Sequence, residues 1–173
     1  EEKLDAKTVG VLQRARLKPD SRLEKQVILD SRGTFAEGIR TIRSGVMLSA
    51  VDSKHKTVVL TSSMPGEGKT TVACNLALSF SHVKRTLLIE ADMRRPRLAS
   101  IFEEMREKPG LSDLIAGEGT REQCIHRVPG TELDVLPTGR VPIAPLELLS
   151  SHRFTELIEP LQKEYDVVII DTP

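Results

Sequence analysis

Eight consecutive residues, Ser63, Met64, Pro65, Gly66, Glu67, Gly68, Lys69 and Thr70, carry the types and spacing that hold phosphate groups. Gly66 and Gly68 let the backbone turn its N–H groups inward around an anion, and a helix starting near Lys69 points the positive end of its dipole at the same spot. Lys69 is spaced to reach the β- and γ-phosphates of a nucleotide and Thr70 to put its hydroxyl on Mg²⁺, with Pro65, Glu67 and Thr71 completing the loop. The stretch matches G-x-x-x-x-G-K-[ST] except that Ser63 replaces the first glycine. A metal also needs acids, and two apolar runs end in them: Leu87, Leu88 and Ile89 lead to Glu90 and Asp92, while Val167 to Ile170 lead to Asp171. The carboxyl edge of a parallel sheet is where ligands bind, so Glu90, Asp92 and Asp171 should converge on the loop. Asp171 read alone also suits a turn or a helix cap.

Such convergence needs strands and helices in a fixed order. Residues 57–61 read as a buried strand running into the loop, and Ala73, Leu76, Ala77 and Phe80 fall on one face of the helix after it. Further strands are expected at 86–89, 133–136 and 167–170, with short helices between 97 and 130 broken by Pro109, Gly110, Gly117, Gly119 and Gly130. Phe35, Ile39, Ile42 and Val46 mark an amphipathic helix over 35–48, with Glu37, Arg40 and Arg43 as a charged stripe beside them. Residues 27–29 read as a short extended piece, 146–149 as a helix start, and 154–161 as a helix in which Pro160 is awkward. Short apolar strands alternating with helices predict an α/β fold, doubly wound, with a mainly parallel sheet covered on both faces. Residues 1–26 read as a charged linker or frayed helix, and 27–173 as the nucleotide-binding domain.

Composition narrows the partners. Lys plus Arg equals Asp plus Glu at 25 each among 173 residues, and four Phe, one Tyr and no Trp leave little for base stacking, so nucleic acid is not an expected partner. Cys74 and Cys124 form no CxxC pair, and His55, His82, His126 and His152 show no ligand spacing, so neither a zinc site nor a disulfide framework is indicated. No run approaches the roughly 20 apolar residues of a membrane span, which together with the cysteine usage suggests a cytoplasmic setting. Opening on Glu1 and ending on Asp171-Thr172-Pro173 directly after an apolar run, the sequence reads as a fragment truncated after its last strand.

Three segments taken together resemble the cytoplasmic domain of bacterial tyrosine autokinases of capsule and exopolysaccharide production. They are the loop through Thr71, the run Glu90-Ala91-Asp92-Met93-Arg94-Arg95-Pro96, and the closing Ile170-Asp171-Thr172-Pro173, which resemble that family's Walker A, A′ and B motifs. The resemblance implies a P-loop fold that binds ATP and Mg²⁺ and phosphorylates tyrosine. Lys69, Asp92 and Asp171 would be catalytic, Thr70, Glu90, Asp92 and Asp171 would lie around the metal, and Arg94 would pair with a phosphate or an acid. Residues 35–43 resemble the family's E-x-x-R-x-x-R helix, which implies a ring-like homo-oligomer with Glu37, Arg40 and Arg43 at its contacts. A membrane polysaccharide copolymerase or adaptor, fused or separate, would hold the domain at the inner face of the membrane. Glu90 stands where relatives usually have Asp, Ala144 replaces the Asn of an N-P-x-E-L-L segment, and the tyrosine-rich tail is absent. Tyr165, just before a strand, is expected to be packed rather than to accept phosphate. Two other readings are a partition or division-site ATPase, disfavoured because Met64 stands where those carry lysine, and a nucleotide-binding scaffold without kinase activity.

Overall fold

The computed structural model describes residues 8–13, 22–49 and 56–173. Among these, β1 (Lys56–Leu60), β2 (Thr86–Glu90), β3 (His126–Arg127), β4 (Leu133–Leu136) and β5 (Val167–Asp171) form one sheet in the order β1-β5-β2-β4-β3. The first four in that order are parallel, and β3 closes one edge antiparallel to β4. Leu60 and Glu90 both stand level with Asp171, so β1, β5 and β2 end together at one carboxyl edge. The expected mainly parallel sheet is therefore present, and β3, two residues long, is the element that apolar periodicity could not show.

Alternation of side chains along the strands divides the core into two layers. Leu88, Val135, Val167 and Ile169 face α2 (Thr34–Ser49), α3 (Lys69–Ser81) and α4 (Leu98–Ile101). Leu87, Ile89, Leu136, Val168 and Ile170 face α5 (Leu111–Ala116) and α8 (His152–Glu164), with α6 (Arg121–Cys124) contributing Cys124 and α7 (Pro145–Leu149) contributing Leu148. Helices thus cover both faces. Pro160 sits inside α8 on its exposed side, where the carbonyl that loses an N–H partner can be solvated.

Two local readings change. Residues 27–29 lie in a one-turn helix, α1 (Gln26–Leu29), because the buried Asn75 side chain accepts from the Val27 N–H at 2.8 Å and holds the turn against α3. α3 is also less one-sided than its apolar spacing suggests: ten of its thirteen residues are buried, since α2 and the turn at Leu23–Lys25 pack against it opposite the sheet. Of the expected linker, residues 1–7 and 14–21 lie outside the described residues. Leu12 and Leu23 pack on the first core layer, the Lys25 ammonium lies 4.7 Å over the Phe102 ring, and Asn75 donates to the Leu23 carbonyl at 2.7 Å.

Candidate nucleotide-binding site

The glycine-rich loop runs from the end of β1 to the first residue of α3. Gly66 and Gly68 have φ of 84° and 92°, a left-handed backbone that glycine adopts without strain, and no protein atom lies within 4 Å of where either would carry a side chain. Gly68 caps α3, its carbonyl accepting the first helical bond from Val72 N–H at 2.9 Å. Glu67 folds back so that Oε2 accepts from the Met64 N–H at 3.2 Å, and Ser63 Oγ lies 3.5 Å from both its oxygens. Ser63, in place of a glycine, thus ties the two ends of the loop. Lys69 Nζ donates to Ser62 Oγ at 2.9 Å and lies in no salt bridge among the described residues. A cavity of about 600 Å³ opens over the loop, lined by residues from Ser62 to Thr70 and, across from them, by Asp92, Arg94, Arg95 and Arg97. Glu67 and Thr71 do not line it.

Three acids stand at this edge in different states. Asp171, 1% exposed, has both carboxylate oxygens buried without a hydrogen-bond partner among the described residues. Burial pushes its carboxyl up to about 6. The Thr70 hydroxyl is close enough to pull it back down without making a bond of normal geometry, Glu90 and Asp92 repel it, and Lys69 attracts it. Its backbone carbonyl also accepts from the N–H groups of Ala91 and Asp92, at 2.8 and 3.1 Å, which fixes the turn after β2. Asp92 uses Oδ1 to accept from Arg95 N–H at 3.1 Å and faces the cavity.

Glu90 is spent elsewhere. Its Oε1 accepts from the Arg97 and Leu98 N–H groups, the latter at 2.7 Å, and Oε2 accepts from Thr138 N–H at 2.9 Å. It therefore caps α4 and anchors the chain leaving β4, and it lines a neighbouring cavity instead of the nucleotide one. The residue expected at the metal thus anchors backbone with both of its oxygens, and it does not line the cavity over the loop.

The charged stripe on α2 divides likewise. Glu37 and Arg40 form an ion pair on the surface, while Arg43 Nη1 donates to the Ser79 carbonyl of α3 at 2.7 Å. Tyr165 is buried and donates to Asp134 Oδ2 at 2.9 Å, and burial beside that carboxylate raises its phenol above the ordinary range. Residues that spacing did not single out are Ser62, which holds Lys69, and Arg95 and Arg97, which wall the cavity opposite the loop. The abundance of basic residues after Asp92 was the one available signal for the last two.

An open, positive-φ loop feeding a helix, with a lysine free of carboxylates and an orphaned acid at the next strand's end, is how P-loop nucleotide-binding domains are built. A divalent cation fits these groups: Asp171 offers unused oxygens beside the Thr70 hydroxyl. Among the described residues no three acids, histidines or cysteines gather to hold a metal alone, which suits Mg²⁺, an ion that takes one or two carboxylates and leaves the rest to phosphates and water.

Comparison with known proteins agrees. The AAA domain family matches residues 55–173. The putative tyrosine-protein kinase EpsB of Ralstonia nicotianae is 44% identical over 140 residues, 79% of this chain and 18% of EpsB. The tyrosine-protein kinase YwqD of Bacillus subtilis is 38% identical over 156 residues, 88% of this chain and 65% of YwqD. Among solved structures the chimerical protein CapA2B2 superposes with a TM-score of 0.84 at 34% identity, covering 95% of this chain and 70% of that one. The septum site-determining protein MinD of Pyrococcus horikoshii shares the fold at 25% identity with a TM-score of 0.59, over 68% of this chain and 49% of that one. The chain belongs to the AAA domain family of P-loop ATPases and, within it, to the bacterial tyrosine-kinase domains. It spans between 18% and 65% of the length of EpsB and YwqD.

Proposed function

We propose that this domain binds ATP·Mg²⁺ and transfers the γ-phosphoryl group to tyrosine, as an autokinase serving capsule or exopolysaccharide production. The observation that carries the reading is the Asp171 carboxylate, buried beside Thr70 with neither oxygen hydrogen-bonded among the described residues. Such a group is costly in an empty site and suited to a metal. Thr70 and Asp171 would hold Mg²⁺, which when bound supplies neutralisation of charge on the β- and γ-oxygens. The loop N–H groups from Gly66 onward bind the phosphates, and Lys69 moves from Ser62 Oγ to the β/γ-oxygens. Asp92 keeps Oδ2 free of hydrogen bonds among the described residues, and it orients the attacking hydroxyl and takes its proton there. Arg94, on the opposite wall, pairs with phosphate. Glu90 lies outside this set and holds the α4 and β4 connections in place.

The likeness to bacterial tyrosine-protein kinases supports a wider assembly as part of this proposal. The domain works as a homo-oligomer in which Glu37 and Arg40 lie at contacts and a neighbour supplies the acceptor tyrosine, and a membrane adaptor, fused or separate, keeps it at the cytoplasmic face. No helix among the described residues is long and apolar enough to cross a membrane. The test is to give the chain γ-labelled ATP, Mg²⁺ and a synthetic glutamate–tyrosine copolymer. Phosphotyrosine that disappears in Lys69→Ala supports the kinase. ATP hydrolysis with no labelled tyrosine would instead favour the partition or division-site type.

A further inference from the structure

The turn before α1 grips the segment that follows Asp92. Leu23–Lys25 form a single turn of 3-10 helix, and with Arg22 they reach side chains and carbonyls 73 to 81 residues further along the chain. Arg22 pairs with Glu103 and lies with Nη1 3.4 Å from the Ile101 carbonyl. The Lys25 ammonium sits over the Phe102 ring, and Glu24 Oε1 accepts from Arg97 Nη2 at 3.1 Å. Asn75 fixes the turn from α3 through the Leu23 carbonyl. Of these contacts, the one with Arg97 opens onto the nucleotide cavity.

Arg97 is held on one side and open on the other. Its N–H is bonded to the buried Glu90 carboxylate and its Nη2 to Glu24, while Nε and Nη1 have no hydrogen-bond partner among the described residues. The Glu24 side chain is only 16% exposed, against 55% for Arg97, and it makes no other hydrogen bond or ion pair among the described residues. Arg94 and Arg95, on the same wall, have no ion pair among the described residues to hold their heads. Across this cavity four cations, Lys69, Arg94, Arg95 and Arg97, meet one carboxylate, that of Asp92, a balance that suits a polyanion. A guanidinium anchored along one edge can present parallel N–H donors to phosphate oxygens from the other. Because its stem is already ordered, binding costs less side-chain entropy than for a free arginine.

Resting on the nucleotide reading of the loop, we propose that Arg97 binds the phosphates of the nucleotide from the wall opposite Lys69, and that Glu24 is the residue that positions it. Nε and Nη1 donate to phosphate oxygens while Nη2 stays on Glu24, so the ion pair persists in the complex. Keeping the pair avoids leaving a mostly buried carboxylate alone. The AAA domain family match begins at residue 55, so a side chain from outside the matched part completes the phosphate site. Displacing the turn at 22–25 then lowers nucleotide affinity without touching the glycine-rich loop.

The test is displacement of a fluorescent ADP analogue from the whole 173-residue chain by Mg·ADP and by Mg·pyrophosphate, with urea unfolding of each variant alongside. Arg97→Ala should weaken both competitors by about tenfold, and Arg97→Lys by less. Glu24→Gln should weaken both by about threefold or more, and Glu24→Gln combined with Arg97→Ala should be no weaker than Arg97→Ala alone, because Glu24 acts only through the arginine. Exchanging the charges, Glu24→Arg with Arg97→Glu, should recover the unfolding midpoint but bind worse than Arg97→Ala, since a carboxylate then faces the phosphates. Recovery of binding in that exchange, or no effect of Glu24→Gln, overturns the positioning role. Weakened ADP with unchanged pyrophosphate overturns the phosphate contact. If Arg97→Ala binds within about twofold of the parent while Lys69→Ala loses binding, this inference falls and the nucleotide site stands. Indifference of Lys69→Ala as well overturns both.

Discussion

Replacing Asp171 by Asn should make the metal-free protein relatively more stable as pH rises. Folding raises this carboxyl from its ordinary 3.8 to about 6, chiefly because it is buried. A raised folded pKa means that the native state binds the proton more tightly, so the contribution is fully favourable below 3.8 and is lost as pH rises through 6. At about 1.36 kcal/mol per pH unit the complete loss is about 3 kcal/mol, of which about 2 develops between pH 4.5 and 7.5. Asn cannot ionise. Its own buried amide costs something, but that cost is constant with pH, so the difference between the two proteins carries the signal. Urea unfolding in EDTA at several pH values between these limits should show Asp171→Asn gaining about 2 kcal/mol on the parent. In thermal melts the same gain is about 4–8 °C for a chain of this size. Saturating Mg²⁺·ADP should then stabilise the parent and do much less for the variant. Parallel stability curves across this range would mean that Asp171 is not a destabilised anion, and the reasoning that makes it a metal site would fall.

Three further outcomes follow from the bonds described. Glu90→Ala leaves the Arg97, Leu98 and Thr138 N–H groups without an acceptor, and should cost about 3 kcal/mol or more in urea unfolding; a loss below about 1 kcal/mol would return Glu90 to the metal. Arg43→Ala should destabilise the fold by about 1 kcal/mol by removing the bond to Ser79, whereas Arg40→Ala should lower particle mass in sedimentation with stability unchanged; unchanged mass in both removes α2 from the oligomer contact. Tyr165→Phe should keep phosphotyrosine formation intact while losing stability through Asp134, and loss of labelling would contradict its structural role.

What was legible in the sequence is what depends on near neighbours. The strand, loop and helix from β1 to α3 could be read because glycine, lysine and threonine act within eight residues, and Asp171 because an apolar run ends in an acid. Glu90 looked the same by that rule. Its fate was set by donors that the fold delivers from Leu98 and Thr138, 8 and 48 residues away, and no local pattern encodes their arrival. Arg43 is similar: spacing put it on one stripe with Arg40, yet its partner is a carbonyl 36 residues on, at the end of α3. The turn at 26–29 is helical because Asn75 reaches it from the far side of the loop, which overrides a β-branched run too short to decide itself. Burial on both sides of α3 likewise came from the packing of α2, and not from the helix's own periodicity.

The account rests on the loop and Asp171 forming one Mg-nucleotide site, and binding of a fluorescent ADP analogue with and without Mg²⁺ tests it most directly. Binding should tighten at least about tenfold with Mg²⁺, lose that gain in Asp171→Asn, and weaken strongly in Lys69→Ala. Binding that is indifferent to Mg²⁺ and unchanged in both variants would contradict it.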